Sequence, residues 1–205
     1  MEKFRNKYRI EPNRSKSQNY SDPGHYFITI CINNMRCIFG NVLDNTMQLS
    51  VYGEIVNNEI KNSPKYHKRI ALDSHIVMPN HVHFIVSLGD YDYDNGVSDI
   101  GETTFVGITN DVEKIHEFSL HEFSLPNTDI KQYRKLRRKM IIPKLVGKFQ
   151  MITSKQINKL RDTPGMKNWQ SNYHDHVIRD NISYQRIRNY IISNPMNWDK
   201  DIFYG

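Results

Sequence analysis

A chain of 205 residues is long enough to bury one sizeable core, and its net charge is +6. It contains no run of about 20 apolar residues, and charges occupy the N-terminus where a signal peptide needs an apolar stretch, so composition predicts neither a membrane-spanning nor a secreted protein. Its two cysteines, Cys31 and Cys37, are too few for a disulfide framework or a zinc site, and a reducing cytoplasm is the expected setting.

Charge is distributed unevenly along the chain. Between residues 89 and 130, ten acidic residues accompany a single lysine, so the rest of the chain carries +15. A core this basic has a polyanion as its natural partner, and nucleic acid is the commonest polyanion. Solubility alone is the alternative explanation and stays open at this point.

The first half of the chain predicts a basic arm followed by strands and one helix. Residues 1–22 are polar and basic and are expected to form a flexible arm, and residues 23–205 a single domain. Apolar periodicity predicts a buried strand at 26–32, a helix from 50 to about 61, and strands at 69–78 and 81–88, with loop between the first strand and the helix.

The acidic segment at about 89–130 shows no sustained period and contains a tandem five-residue copy, 116–120 and 121–125. A duplication of this length fits neither helical nor strand phasing, so we expect a tolerant surface insertion. Its histidines and glutamates are not expected to bind a metal, because a flexible segment offers no fixed geometry.

The second half begins with a basic run at 131–139, which leads into a helix near Pro143. An apolar stripe that ends at Leu160 marks one side of this helix, and four lysines recur on another side. That lysine face is either solvated or in contact with phosphates. The candidate phosphate-binding residues are Lys144, Lys148, Lys155, Lys159, Arg134, Arg137 and Arg138.

A turn at 162–165, a strand at 169–178 and a helix from about 183, ended by Pro195, complete the predicted elements. The resulting order of strand, helix, strand, strand, helix, strand and helix predicts an α+β fold. In such a fold an antiparallel sheet carries its helices on one face.

Two histidines stand one residue apart at the start of the strand 81–88. Side chains alternate along a strand, so His81 and His83 point the same way and can bind one ion or one phosphate. Val82, Phe84 and Val86 form the opposite, apolar face. A His-x-His pair is also common in half-exposed strands, so the pattern alone leaves both interpretations open.

Tyr190 lies on the last predicted helix, with Asn194 four residues later on the same helix face. A tyrosine that attacks phosphorus needs a cation nearby, and a polar ligand one turn away would link the two. A tyrosine at the boundary of an amphipathic helix is the alternative. Tyr173 and Tyr184 are weaker candidates because neither precedes an Asn-Pro ending.

Four stretches resemble the REP-associated tyrosine transposases, a branch of the one-tyrosine single-strand DNA transposases with a His-hydrophobic-His motif. The resemblance runs from about residue 9 to residue 198 and skips the acidic segment. The four stretches are 23–31 (PGHYFITIC), 78–83 (MPNHVH), 169–179 (WQSNYHDHVIR) and 187–195 (IRNYIISNP).

The resemblance implies a ferredoxin-like sheet with the catalytic tyrosine on a C-terminal helix. It implies metal ligation by His81, His83 and Asn194, with Mg²⁺ or Mn²⁺ as the ion, and Tyr190 as the nucleophile. Asp175 and His176 would lie near the site, where they either assist proton transfer or only pack.

The implied activity is cleavage and transfer of single-stranded DNA at repeat hairpins through a 5′-phosphotyrosine. The expected location is the cytoplasm, where the protein would associate with the nucleoid. A relaxase or replication initiator would use the same chemistry, and a nucleic-acid-binding module without catalysis is a third reading. A monomer and a homodimer are both compatible with the sequence.

Overall fold

The computed structural model describes residues 18–89 and 135–204, together with the backbone of two short paired strands, β1 (Lys3–Phe4) and β2 (Tyr8–Arg9). Almost all of the predicted acidic insertion, most of the predicted arm and Arg134 lie outside these residues.

The remaining elements follow in chain order. They are β3 (Gly24–Cys31), β4 (Gly40–Leu43), β5 (Thr46–Leu49), α1 (Val51–Lys61), β6 (Ile70–Val77), β7 (His81–Leu88), α2 (Ile141–Leu160), β8 (His174–Ile178) and α3 (Asn181–Ser193). Short 3-10 helices occur at Asn33–Met35, Ser63–Tyr66 and Asn194–Lys200.

Four strands form one antiparallel sheet in the order β6-β7-β3-β8. The strand-helix-strand-strand-helix-strand succession of β3, α1, β6, β7, α2 and β8 is the ferredoxin-like pattern. The predicted α+β class and antiparallel sheet are therefore confirmed.

Strand β7 gives the sheet two chemically different faces. Ile85 joins a small cluster with Ile178 and Ile191. Alternate positions on the other side pack into the main core, namely Val82, Phe84, Val86 and Leu88. The predicted alternation is confirmed, and it directs His81 and His83 to the side of the small cluster.

Helices α1 and α2 cover the main-core face, as the sequence predicted. The Ser50 hydroxyl caps α1 by accepting hydrogen bonds from the backbone N–H groups of Tyr52 and Gly53. The C-terminal helix α3 lies on the opposite face, where Ile187 and Ile191 pack beside the sheet. None of the helices in the described part of the chain is both long and apolar enough to span a bilayer.

Three local predictions were wrong. The segment predicted as loop contains the β4–β5 hairpin, whose turn residues Asp44 and Asn45 both have positive φ, as a tight hairpin turn requires. Strand β8 is shorter than predicted, since Trp169 makes only an isolated bridge to Ile32. Leu160, assigned to the apolar stripe of α2, is 58% exposed at the end of the helix.

Substitution by alanine should have opposite effects on stability at two helical glycines. At Gly53 an added Cβ would lie 2.1 Å from the carbonyl oxygen of Phe39, whereas at Gly147 nothing lies within 4 Å. We expect Gly53→Ala to cost about 1–3 kcal/mol of unfolding free energy, and Gly147→Ala to add about 0.5–1 kcal/mol. Urea unfolding measures both, and a stabilised Gly53→Ala would contradict the close packing of α1 on Phe39.

Candidate active and metal-binding site

The two histidines of β7 meet inside the protein. His81 is 0% exposed and His83 is 1% exposed, and their Nε2 atoms lie 2.9 Å apart. Phe27 stacks on the His83 ring, and Phe203 packs against His81. The pair that the sequence predicted to share an ion is therefore buried and convergent.

Neighbouring polar groups control which nitrogen of His81 carries the proton. Asn80 uses its Nδ2 to donate to the carbonyl of Phe203 at 2.7 Å, so its Oδ1 is left to accept from His81 Nδ1 at 2.8 Å. His81 is thus protonated on Nδ1, and its Nε2 presents a lone pair towards His83.

Thr29 plays the corresponding part for His83. Its hydroxyl lies 2.7 Å from His83 Nδ1, and a hydroxyl can either donate or accept. If Thr29 donates, His83 Nε2 carries the proton and hydrogen-bonds to His81. If Thr29 accepts, both Nε2 atoms present lone pairs to the same point, which suits a shared cation.

Tyr190 reaches this pair from α3. Its hydroxyl lies 3.3 Å from His83 Nε2 and 3.3 Å from Asp201 Oδ2, and its ring meets the His83 ring edge-on at 5.2 Å. The side chain is 40% exposed. A substrate could therefore approach the hydroxyl from solvent while the histidines stay enclosed.

The C-terminal segment supplies two further polar groups. Asn194 is 2% exposed and donates from Nδ2 to Asp201 Oδ2 at 3.1 Å, but its buried Oδ1 has no hydrogen-bond partner among the described residues. His81, His83 and Asp201 have ligand atoms within 4.8 Å of one another and could hold a metal ion.

Burial sets the protonation of these groups. It lowers the pKa of His81 to about 4, against a smaller opposing effect of the Asp201 charge, and it lowers the pKa of His83 well below its usual value. Burial, followed by the Asp201 charge, raises the pKa of Tyr190 to about 12. At neutral pH the imidazoles are uncharged and suited to ligation, and the phenol is protonated.

Polar contacts help to fix α3 on the sheet. Tyr184 donates a hydrogen bond to Asp73, and Arg188 lies 3.9 Å from the same carboxylate. Asp73 occupies the irregular position of β6, where the register shifts between Leu72 and Ser74. These contacts hold the helix that carries Tyr190 at a defined height above His83.

Asp175 and His176, the two site residues predicted in β8, lie on opposite faces of the sheet. Asp175 alternates with Tyr173 and Val177, both of which pack on the main core, so it lies on the face away from the histidines. This position does not favour a role in proton transfer. His176 is exposed and pairs with Phe27, which stacks on His83, so it lies on the same face as the site.

The predicted DNA-binding residues lie away from Tyr190. The four lysines of α2 are exposed, but α2 covers the opposite face of the sheet, and Lys148 rests over the ring of Tyr66 at 4.2 Å. Arg138 is exposed, whereas Arg137 is buried and is therefore poorly placed for phosphate contact.

Sequence reasoning missed Asp201, Asn80 and Thr29. Asn80 lies between two predicted strands, in the MPNHVH stretch, although a polar residue next to a paired histidine is a natural hydrogen-bond partner. Thr29 lies directly opposite His83 in the sheet, which only the strand register reveals. Asp201 follows the irregular segment Asn194–Lys200, where no periodicity indicates direction.

Comparison with known proteins finds a related sequence and several similar structures, two of which are described below. An uncharacterized protein of Haemophilus influenzae is 29% identical over 196 residues, which cover 93% of this chain and 91% of the relative. No protein-family model matches the chain.

The structure of a REP-associated tyrosine transposase bound to a REP hairpin is similar with a TM-score of 0.47 and 13% identity, over 92% of this chain and 74% of the other. A proposed transposase from Deinococcus radiodurans is similar with a TM-score of 0.40 and 11% identity, over 87% and 96% of the two chains. The first is of the family that the sequence motifs resemble. Because neither TM-score reaches 0.5, we infer function from the geometry of the site.

Acid should destabilise the protein through His81. Its pKa is about 4 when folded and 6.5 ordinarily, so between these values the unfolded chain binds a proton that the folded chain does not. Stability should therefore fall as the pH drops from 6.5 to 4, by about 3 kcal/mol from this group, and the effect should be absent above 6.5.

Urea unfolding of the wild type and of His81→Gln from pH 4 to pH 8 measures this effect. The variant should lose less stability than the wild type over the acid range, because glutamine does not titrate. Parallel pH curves for the two proteins would contradict the assigned effect of burial on His81.

Proposed function

We propose that this protein is a metal-dependent single-strand DNA endonuclease and strand transferase, similar in action to a transposase, with Tyr190 as its nucleophile. The observation that supports it best is the position of the Tyr190 hydroxyl, 3.3 Å from His83 Nε2 and 3.3 Å from Asp201 Oδ2. A nucleic-acid-binding module without catalysis would not need a tyrosine hydroxyl beside two buried, uncharged imidazoles.

The donor set mixes imidazole nitrogen with oxygen, which suits Mg²⁺ or Mn²⁺ in use, although zinc would bind such a site too. His81 and His83 offer neutral Nε2 atoms, Asp201 offers a carboxylate, and Asn194 offers a buried oxygen without a hydrogen-bond partner among the described residues. Cys31 pairs with His81 across the sheet, but burial and then the Asp201 charge raise the pKa of its thiol to about 11, so it stays protonated. A divalent cation held here would neutralise negative charge on the scissile phosphate.

The chemical step uses the chain's own groups. The Tyr190 oxygen forms a bond to phosphorus, the bond from phosphorus to the 3′ oxygen breaks, and a 5′-phosphotyrosine and a free 3′-hydroxyl result. The phenol proton passes to Asp201 Oδ2, which already accepts its hydrogen bond, the departing oxygen takes a proton from water, and the hydroxide so formed takes up the Asp201 proton, which restores the carboxylate. Attack by the 3′-hydroxyl of another strand on the phosphotyrosine reverses these bonds and completes transfer.

Three neighbouring residues would hold the two histidines in the orientation that metal binding needs. Asn80 fixes the proton of His81 on Nδ1, Thr29 orients His83, and the Phe203 ring excludes water from His81. We take hairpin-forming repeats as the DNA substrate on the strength of the sequence resemblance. The basic residues outside the acidic segment provide the attraction for phosphate.

Covalent trapping tests this function. With single-stranded hairpin oligonucleotides from flanking repeats and Mn²⁺, we expect a protein–DNA band that survives denaturing electrophoresis. Tyr190→Phe should abolish the band because the attacking oxygen is gone. His83→Ala should weaken it by about a hundredfold or more because charge on phosphate is no longer neutralised.

Tyr52→Phe is the control, because it removes a tyrosine hydroxyl from α1, which covers the opposite face of the sheet, and its band should persist. A band that survives Tyr190→Phe would show that Tyr190 is not the nucleophile. Binding of hairpins without any band would instead favour a binding module that lacks catalysis.

A further inference from the structure

An open groove of about 870 Å³ lies between the second half of α2 and the segment 162–171. Its size falls within the range of about 300–1,000 Å³ that is typical of ligand-binding clefts. The sequence indicated only a turn at 162–165 and an exposed lysine face, so this concavity was not predicted.

Buried amides hold the two walls of the groove together. Asn158 on α2 donates to the carbonyl of Met166 at 2.8 Å, and Asn168 donates to Asn158 Oδ1 at 2.7 Å. Trp169 adds a hydrogen bond from Nε1 to Thr153 at 2.9 Å. Because these side chains are buried, the groove is formed before any ligand arrives.

The groove is basic. Lys155 and Lys159 line it from α2, and Lys167 lines it from the facing segment, where its Nζ donates to Ser171 Oγ at 2.8 Å. The acidic residue in the lining is Asp162. Three lysines against one aspartate favour an anionic ligand. Lys144 and Lys148, which share the lysine face, lie outside the groove.

The groove also offers exposed apolar surface. Met151 is 64% exposed and Met166 is 42% exposed. Thioether side chains adapt to flat apolar partners. A DNA duplex presents phosphates but encloses its base faces, whereas an unpaired strand presents both, so lysines beside methionines fit an unpaired strand.

One wall of the groove adjoins the end of the sheet where the histidine pair begins. The lining residue Gln170 donates its backbone N–H to the carbonyl of Cys31 at 2.9 Å, and Cys31 pairs directly with His81. A strand that passes around this end of the sheet could therefore contact the groove on one face and the Tyr190 site on the other.

We propose that this groove binds unpaired nucleotides of single-stranded DNA that adjoin the segment bound at Tyr190. The proposal rests on the function proposed above for the identity of the ligand, and it adds a binding site on the opposite face of the sheet. The lysines neutralise phosphates, and the methionines contact bases.

Binding of two labelled DNAs tests this site, a hairpin with a single-stranded tail and the same hairpin with a blunt end. The triple variant Lys155→Ala, Lys159→Ala and Lys167→Ala should weaken binding of the tailed DNA by about tenfold or more, and leave the blunt DNA nearly unchanged. The slope of log affinity against log salt for the tailed DNA should fall by about 2, since each phosphate contact with a single strand contributes about 0.7.

A second triple variant, Lys135→Ala, Lys139→Ala and Lys144→Ala, is the matched control. It removes the same charge from exposed positions outside the groove, so it should affect tailed and blunt DNA equally. Ser154→Trp fills the groove without changing charge and should reproduce the selective loss. Thermal unfolding of each variant checks that the fold is retained.

Equal losses for both DNAs in both triple variants would overturn the proposal, because the lysines would then act only through net charge. Unchanged tail binding in Ser154→Trp, or competition by polyglutamate as strong as that by an unpaired strand, would overturn it as well. The covalent assay separates the two proposals: selective tail binding without a Tyr190 adduct refutes the proposed chemistry alone, and an adduct without selective tail binding refutes the groove alone.

Discussion

The approach of His81 Nε2 to His83 Nε2, at 2.9 Å inside the protein, is the constraint on which the site depends. Strand geometry places the two rings on one side of β7, and burial keeps both uncharged. Two bare lone pairs at this distance would repel each other, so the pair needs either a proton or a cation between the nitrogens. Thr29 can accommodate both cases, because its hydroxyl can donate to or accept from His83.

The two faces of the sheet contribute differently to stability and to the site. The face covered by α1 and α2 buries the larger apolar core and supplies stability. The other face buries only a small apolar cluster under α3, so contacts such as those of Asp73 with Tyr184 and Arg188 have a larger share in holding that helix. The residues after α3 then cover the histidines, through Asp201 and Phe203.

Much of this arrangement follows from local sequence patterns. The alternation in β7 predicted both faces, apolar spacing predicted α1, and the spacing of Tyr190 and Asn194 predicted that both lie on one helix face. Tyr190 and Asn194 both hydrogen-bond to Asp201, and the Tyr190 hydroxyl lies 3.3 Å from His83 Nε2. Such predictions succeed because the relevant residues lie within one element of known period.

Other features depend on contacts between distant segments and left no local pattern. Asp201 reaches the histidines only because an irregular turn after α3 folds back over the sheet. Asp175 is close to the site in sequence motifs but lies on the other side of β8. The groove beside α2 forms because buried amides join the loop 162–171 to the helix. This contact places Lys155 and Lys159 in the groove and leaves Lys144 and Lys148 outside it.

The claim that the buried histidine pair, together with the C-terminal segment, binds one cation beside Tyr190 is tested most directly by diffraction. Crystals grown with Mn²⁺ should show a single anomalous peak within bonding distance of both Nε2 atoms and of an oxygen from Asp201 or Asn194. A peak elsewhere, or imidazoles still hydrogen-bonded to each other with no peak between them, would contradict this account.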